Sequence, residues 1–247
     1  MALFTRSQTG LLVTEGALAL VPYAESMASA AGAIVRAASG EADQECGAVR
    51  VTASEMFGTE VLPAIFTSFR EAHPGIDVEL VLSNRSQDLL RRDADIAVRM
   101  VKPTQGALLA RKLGAVRLGL HAHPRHLRMH GTPRTVVELR QHPLIGFDTA
   151  ASVARLPKLD VPLSRELFSF RCDSDVGQYA ALRAGFGIGV CQLGLAKRDG
   201  LVKVLPGVLD FEIGVWVVMH RDLKSSRRMR MMFDHLAREI ERYIASQ

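Results

Sequence analysis

Ser54 and Glu55 follow a run that alternates like a strand, and they stand where a helix pattern begins. The first backbone N–H groups of a helix lack partners within it, and the helix dipole adds positive potential. Such a junction can hold an anion. Ser54 would equally serve as a helix cap. Ser83 and Asn84 end the next strand pattern, and Arg99, Met100 and Val101 end the third. Arg99 could grip a carboxylate through two parallel N–H bonds, or sit in a structural ion pair. Asp173, Ser174 and Asp175 open a later helix in the same way. Their carboxylates would repel a plain anion; they could attract an amine or simply settle the helix end. Phe147 and Gln192 end two further strand patterns, and His121 lies in another. These complete the candidate ligand-binding side chains.

Other chemistries find little support. His121 and His123 would share a face of a strand, and His126 and His130 a face of a helix, but a metal needs three or four converging ligands with supporting carboxylates. No metal or other cofactor is expected. Glycines 185, 187 and 189 follow a helix and precede a strand, the reverse of a phosphate-binding loop. They read as a helix C-cap, Gly185, and two close-packing sites. There is no GxSxG, HExxH or P-loop motif, and Ser54 has no assignable His and Asp partners, so the chain is not expected to be an enzyme. Arg227, Arg228 and Arg230 read as the solvated start of an amphipathic helix. Cys46, Cys172 and Cys191 match no zinc or CxxC spacing and read as buried apolar groups, with redox sensing at Cys191 the minor alternative.

The elements that must position these residues follow from periodicity. Residues 17–45 form a helix whose apolar positions Ala17, Leu20, Ala24, Met27, Ala31, Ile34 and Ala38 fall in a heptad, alanine alternating with a larger side chain. That seam suits a pairing helix; the alternative is a helix packed on its own domain. From Gly47 onward, strands and helices alternate: strand 48–53, helix from Ser54 to the His73-Pro74-Gly75 stop, strand 76–82, short helix 87–92, strand 94–101. Strands at 108–112 and 116–122 follow, then helix 124–130. A proline-rich stretch, 131–166, reads mostly as loop around strand 144–147. Strand 168–172, helix 174–184 and strand 188–192 repeat the motif, followed by strands 201–205 and 211–219 and a striped helix 227–244. The fold class is α/β. Two small α/β lobes with a cleft between them fit this layout, ligands sitting beyond the carboxyl ends of the strands.

These segments resemble a known family. Gly47-Ala48-Val49-Arg50-Val51-Thr52-Ala53-Ser54 is similar to the first strand of the LysR regulatory domain. Phe69 through Ile76 looks like its "F…HP.I" junction, Asp95-Ile96-Ala97-Val98-Arg99 its third strand, and Leu118 through Pro124 its crossing strand. Ala184-Gly185-Phe186-Gly187-Ile188 resembles its "AG.GI" turn, and His220-Arg221-Asp222-Leu223 its ending. Leu3-Phe4-Thr5-Arg6 with Gly10 through Glu15 resembles the wing after the family's helix-turn-helix, although Gly16-Ala17 reverses the usual Ala-Gly order.

The resemblance implies a LysR-type transcriptional regulator with a two-lobe, periplasmic-binding-protein-like effector domain. Residues 1–16 would be the wing remnant, 17–46 the linker and dimerisation helix, and 47–247 the effector domain. Lobe I would take 47–121 and 219–247, and lobe II 122–218. The residues named in the opening paragraph, Asp175 apart, would line the effector pocket, and Arg6 would touch DNA. The implied partners are a small effector (an organic acid or aromatic metabolite), promoter DNA once a helix-turn-helix upstream of Leu3 is restored, and a second copy or three. Without that helix the polypeptide is expected to lack sequence-specific DNA binding. A net charge of +5 is compatible with nucleic acid but does not decide it. No membrane span or secretory signal is read, so the expected place is the cytoplasm. The rival reading is a small-molecule receptor module with no DNA role.

Overall fold

The computed structural model describes residues 2–7, 10–38, 45–84, 94–103, 108–153 and 164–247. Strands β1 (Phe4–Ser7) and β2 (Gly10–Val13) pair as an antiparallel hairpin, Phe4 opposite Val13. Thr14 then caps a helix: its hydroxyl accepts from the Ala17 N–H at 3.1 Å. That cap starts α1 (Glu15–Ala38) two residues earlier than its heptad pattern. Ala17 is buried, whereas Leu20, Tyr23 and Met27 are exposed. Residues 39–44, where the heptad helix was expected to end, lie outside the described residues, as does the short helix expected at 87–92.

The first strand–helix–strand unit is β3 (Gly47–Ala53), α2 (Glu55–Glu60), α3 (Leu62–Ala72) and β4 (Ile76–Leu82). One helix was expected between the strands. Pro63, with no N–H to donate and a ring that clashes with the preceding turn, divides it in two at Val61. β3 pairs in parallel with β4 on one side and β5 (Ile96–Arg99) on the other.

β6 (Leu108–Ala122) is one strand of 15 residues where two were expected. The expected gap between them holds a bulge: Lys112 faces Trp216, Gly114 faces Val215, and Leu113 is the extra residue. Gly114 has a φ of 135°, which a side chain would oppose.

Beyond β6, the described 131–153 part of the proline-rich stretch is more ordered than its prolines suggest. It follows α4 (Pro124–His130) and contains α5 (Val136–Leu139), β7 (Ile145–Gly146) and α6 (Ala150–Val153). β8 keeps only Phe170–Arg171 of its expected length. Next come α7 (Asp175–Arg183), β9 (Ile188–Gln192) and α8 (Leu193–Arg198), the last unexpected, then β10 (Val202–Lys203), β11 (Phe211–His220) and α9 (Arg227–Ala245).

The main sheet runs β10-β6-β11-β5-β3-β4, with β9 also pairing with β6. β11 is antiparallel to β6 along its whole length and to β5 over Trp216–Met219. The hydrogen-bonded ladder is therefore continuous, while the apolar interior is not. One cluster gathers Val51, Phe57, Phe69, Met232 and Leu236 around α3 and α9 and runs on to Tyr179, Cys191 and Leu195. A second gathers Leu120, Leu139, Leu144, Phe168, Ile188 and Leu209. The stripe of α9 faces the first cluster, where burying each such side chain contributes about 1.5–3 kcal/mol. Arg228, expected in solvent, is buried at the start of this helix, while Arg227 pairs with Glu45.

Candidate functional site

A cavity of about 540 Å³ lies between the two clusters. One wall comes from the carboxyl ends of the parallel strands: Ser54 after β3, Ser83 and Asn84 after β4, and Arg99, Met100 and Val101 from the end of β5. The other comes from Phe147 after β7, Asp173 after β8, Gln178 and Tyr179 on α7, and Gln192 ending β9. β6 and β11 supply Leu118, Leu120, Phe211 and Ile213. A crevice outside the carboxyl ends of strands is where open α/β sheets bind ligands.

Nine of the twelve candidates thus line the cavity, and Glu55, His121 and Ser174 do not. The reasons are local. The Glu55 N–H donates to Asn84 Oδ1 at 3.1 Å, so the helix start reserved for an anion is occupied by a side chain of the protein. His121 follows the strand alternation: Leu118 and Leu120 face the cavity, while Gly119 and His121 face Lys203 and Asp210. Its Nδ1 is 2.9 Å from the Gly119 carbonyl, and burial lowers its pKa. Ser174 spends its hydroxyl on the Gly177 N–H at 3.3 Å, capping α7.

The expected Ser54 cap does not form; its hydroxyl makes no capping bond and is left on the cavity wall. Arg99 is 8% exposed; Nη2 donates to the Thr52 hydroxyl at 3.2 Å, and Nη1 points to the Ser83 carbonyl at 3.4 Å. These bonds hold the guanidinium at the strand ends. Asp173 is a turn clamp: its Oδ1 accepts from the Asp148 and Thr149 N–H groups at 3.1 and 3.2 Å. Loss of hydration pushes this carboxyl up, but bonds from Thr149, Ser152 and Asp148 outweigh it and hold the group below the usual range.

Gln178, Tyr179 and Cys191 were not among the candidates. Gln178 sits one turn after Ser174 on α7, a spacing that could have found it; its amide donates to the Cys172 carbonyl at 2.6 Å. Cys191 is buried, which pushes its thiol up to about 12 and keeps it protonated, against the redox-sensing alternative. The apolar lining of β6 and β9 carries no signal distinct from core.

The glycine turn behaves as read. Gly185 has φ 80°; its N–H reaches the Leu182 carbonyl, and the Phe186 N–H reaches Ala181, a Schellman ending for α7. His123 and His121 do not share a strand, because β6 ends at Ala122 and His123 caps α4, accepting from the Arg125 N–H. His126 and His142 approach to 3.1 Å between Nε2 and Nδ1, with His130 stacked on His126.

Residues 42–241 match the family model of the LysR substrate binding domain. The chain belongs to the LysR family. It is 24% identical over 260 residues to the probable HTH-type transcriptional regulator LtrA of Klebsiella pneumoniae, spanning 96% of this chain and 80% of LtrA. It is 33% identical over 114 residues to the HTH-type transcriptional regulator CrgA of Neisseria meningitidis serogroup C, a match covering 46% of this chain and 38% of CrgA. The solved structure of CrgA from Neisseria meningitidis superposes with a TM-score of 0.69 at 26% identity, over 97% of this chain and 84% of CrgA. The full-length Vibrio cholerae virulence activator AphB shares the fold, with a TM-score of 0.66 at 22% identity, over 96% of this chain and 83% of AphB. This LysR-type transcriptional regulator therefore carries an effector-binding domain of periplasmic-binding-protein-like fold. The relatives named here are transcriptional regulators, not enzymes. Among the described residues no helix is long and apolar enough to cross a membrane.

Proposed function

We propose that a small organic acid or aromatic metabolite binds in the cavity and so controls how a LysR-type regulator engages promoter DNA. The observation that carries this reading is Arg99, a cation held at the strand ends on the wall of a cavity of effector size. Ser54, Ser83, Asn84 and Gln192 add polar groups to the lining, Met100, Val101 and Phe147 add apolar ones, and Asp173 fixes the turn at Asp148 and Thr149. Ligand in this position touches both walls, so it favours one placement of the walls over another.

The division of labour follows from the chain order. Residues 1–16 form a wing in which exposed Arg6 contacts DNA phosphate, residues 17–46 pair two copies, and 47–247 sense the effector as two lobes, 47–121 with 219–247 and 122–218. The exposed Leu20 and Met27 of α1 supply the pairing seam of a homodimer or homotetramer. The effector is read in the cytoplasm, where the promoter is.

A thermal-shift titration of aliphatic and aromatic carboxylates tests the sensing step. At one hundred times Kd a ligand adds about 2.7 kcal/mol, a rise of several degrees. We expect at least one acid to do this, and Arg99→Gln to weaken it tenfold or more. A panel with no dose-dependent shift, or shifts untouched by Arg99→Gln and Ser54→Ala, would refute the reading. A gel shift on promoter fragments, with and without the acid, tests the DNA step.

A further inference from the structure

The cavity's lining has two parts of different chemistry. Ser54, Asn84 and Arg99, at the strand ends, are polar, as are Asp173, Asp175 and Gln192 elsewhere on the wall. The other part is Leu120, Leu139, Leu144, Phe168, Ile188 and Leu209, all members of the second apolar cluster, each less than a tenth exposed. The cavity therefore does not stop at the surface of that half of the molecule; it opens into its core.

The backbone around this branch is already committed. The Leu144 carbonyl accepts from the Ser169 and Phe170 N–H groups, the Ile188 N–H donates to Pro143, and the Val204 N–H donates to Leu120. Leu120 also lies in the ladder opposite Val190. The wall thus presents methyl groups and a phenyl ring. Protein interiors pack as densely as organic crystals, and voids larger than a water are few. A space bounded by leucine, isoleucine and phenylalanine gives water no hydrogen-bond partners, and such spaces take up apolar guests.

From this we infer that the effector is amphipathic: a polar, anionic head at the Arg99 end and a bulky apolar part, an acyl chain or an aromatic ring system, filling the branch among Leu144, Phe168, Ile188 and Leu209. The inference rests on the cavity being the effector site, as proposed above, and adds the apolar class of the ligand. A short polar acid would occupy the head end and leave the branch empty. Recognition then grows with apolar size, not with the number of carboxylates.

Calorimetric titration of the full chain with butanoate and octanoate tests this, since the two share a head and differ by four methylenes. Burying a methylene is worth about 0.8 kcal/mol, or about fourfold in Kd, so octanoate is expected to bind on the order of a hundredfold tighter. Indole, apolar and uncharged, is expected to bind as well. Leu144→Phe and Leu209→Phe, each adding bulk to the branch, should weaken octanoate and indole at least tenfold and leave butanoate within twofold, with the far-UV dichroism unchanged. The chain-length comparison in the unmodified protein stands without either variant. Equal affinity for the two acids would overturn the inference and leave the carboxylate reading of the cavity intact. Indole binding that Leu209→Phe abolishes, with neither acid binding, would uphold the apolar branch and overturn that reading. No binding by any of the three overturns both.

Discussion

Arg198 holds Glu60 across 138 residues of sequence: Nη1 donates to the Glu60 carbonyl at 3.0 Å and Nη2 to its carboxylate at 2.5 Å. The same guanidinium turns its Nε to Asp199 Oδ1 at 2.7 Å, and the Tyr179 hydroxyl donates to Asp199 Oδ2 at 2.6 Å. Glu60 ends α2, which begins at the cavity wall, and Tyr179 lines the cavity from α7. The network therefore ties the two walls to each other. Glu60→Gln keeps an acceptor and removes the charge. Because the Arg198 side chain is 44% exposed, solvent screening limits the cost to about 1 kcal/mol. Urea unfolding measures it, and a double-mutant cycle with Arg198→Gln should show the two losses to be non-additive. Additive losses would mean that the two residues do not act together.

Much of this was legible in the sequence because period and punctuation act locally. The α9 stripe, the Ser174 cap and the Gly185 ending each depend on neighbours a turn away. What failed depends on partners far along the chain. Residues 113–115 read as a gap between two strands until β11 is known to run beside them with one residue fewer. His121 reads as a site residue until the alternation of β6 is phased by Leu118 and Leu120. Glu55 was placed at a free helix end that Asn84, 29 residues on, fills. The apolar half of the cavity was invisible, since a leucine lining a void and a leucine filling one have the same spacing.

Gly187 and Gly185 should respond differently to alanine. A Cβ at Gly187 would stand 2.1 Å from the Pro143 carbonyl oxygen, which is backbone and accepts from the Ile188 N–H, so β9 would have to shift away from residue 143. We expect a loss of roughly 3 kcal/mol, the upper range for overpacking. At Gly185 a Cβ meets nothing closer than 3.6 Å, and the cost is the left-handed φ alone, about 1–2 kcal/mol. Chemical denaturation of the two variants gives the order, and a milder Gly187→Ala would show that the turn relaxes.

The thiols should separate by exposure. Cys46 is exposed and Cys191 is buried with its pKa pushed up to about 12, so little thiolate forms at neutral pH. With a thiol-specific chromogenic reagent Cys46 should react within minutes, and Cys191 only as fast as the protein opens. Equal rates for Cys191 in Cys46→Ser protein and in denatured protein would contradict its burial.

Acid should destabilise the protein through its histidines before its carboxylates. His126 is 1% exposed, and burial, then the charges of His130 and His142, lower its pKa below the ordinary value. His142, whose Nδ1 stands 3.1 Å from His126 Nε2, is lowered by burial and by His130, with Glu138 opposing. Protonating both would put two donors face to face. His121 and His235 are lowered too, each chiefly by burial. A histidine with a lowered folded pKa binds protons more readily when unfolded. Its contribution is therefore complete above about pH 6.5 and is lost as pH falls from there through the folded value. The carboxyls of Asp199, Asp210 and Glu239 are held below their usual range, so their contribution stays intact until the pH nears 4. Melting temperature should fall steadily between pH 7 and 5, and His142→Gln should flatten that slope by removing one proton site and the facing donor. A melting temperature that holds or rises over this interval would mean that these imidazoles take up protons in the folded chain at no cost.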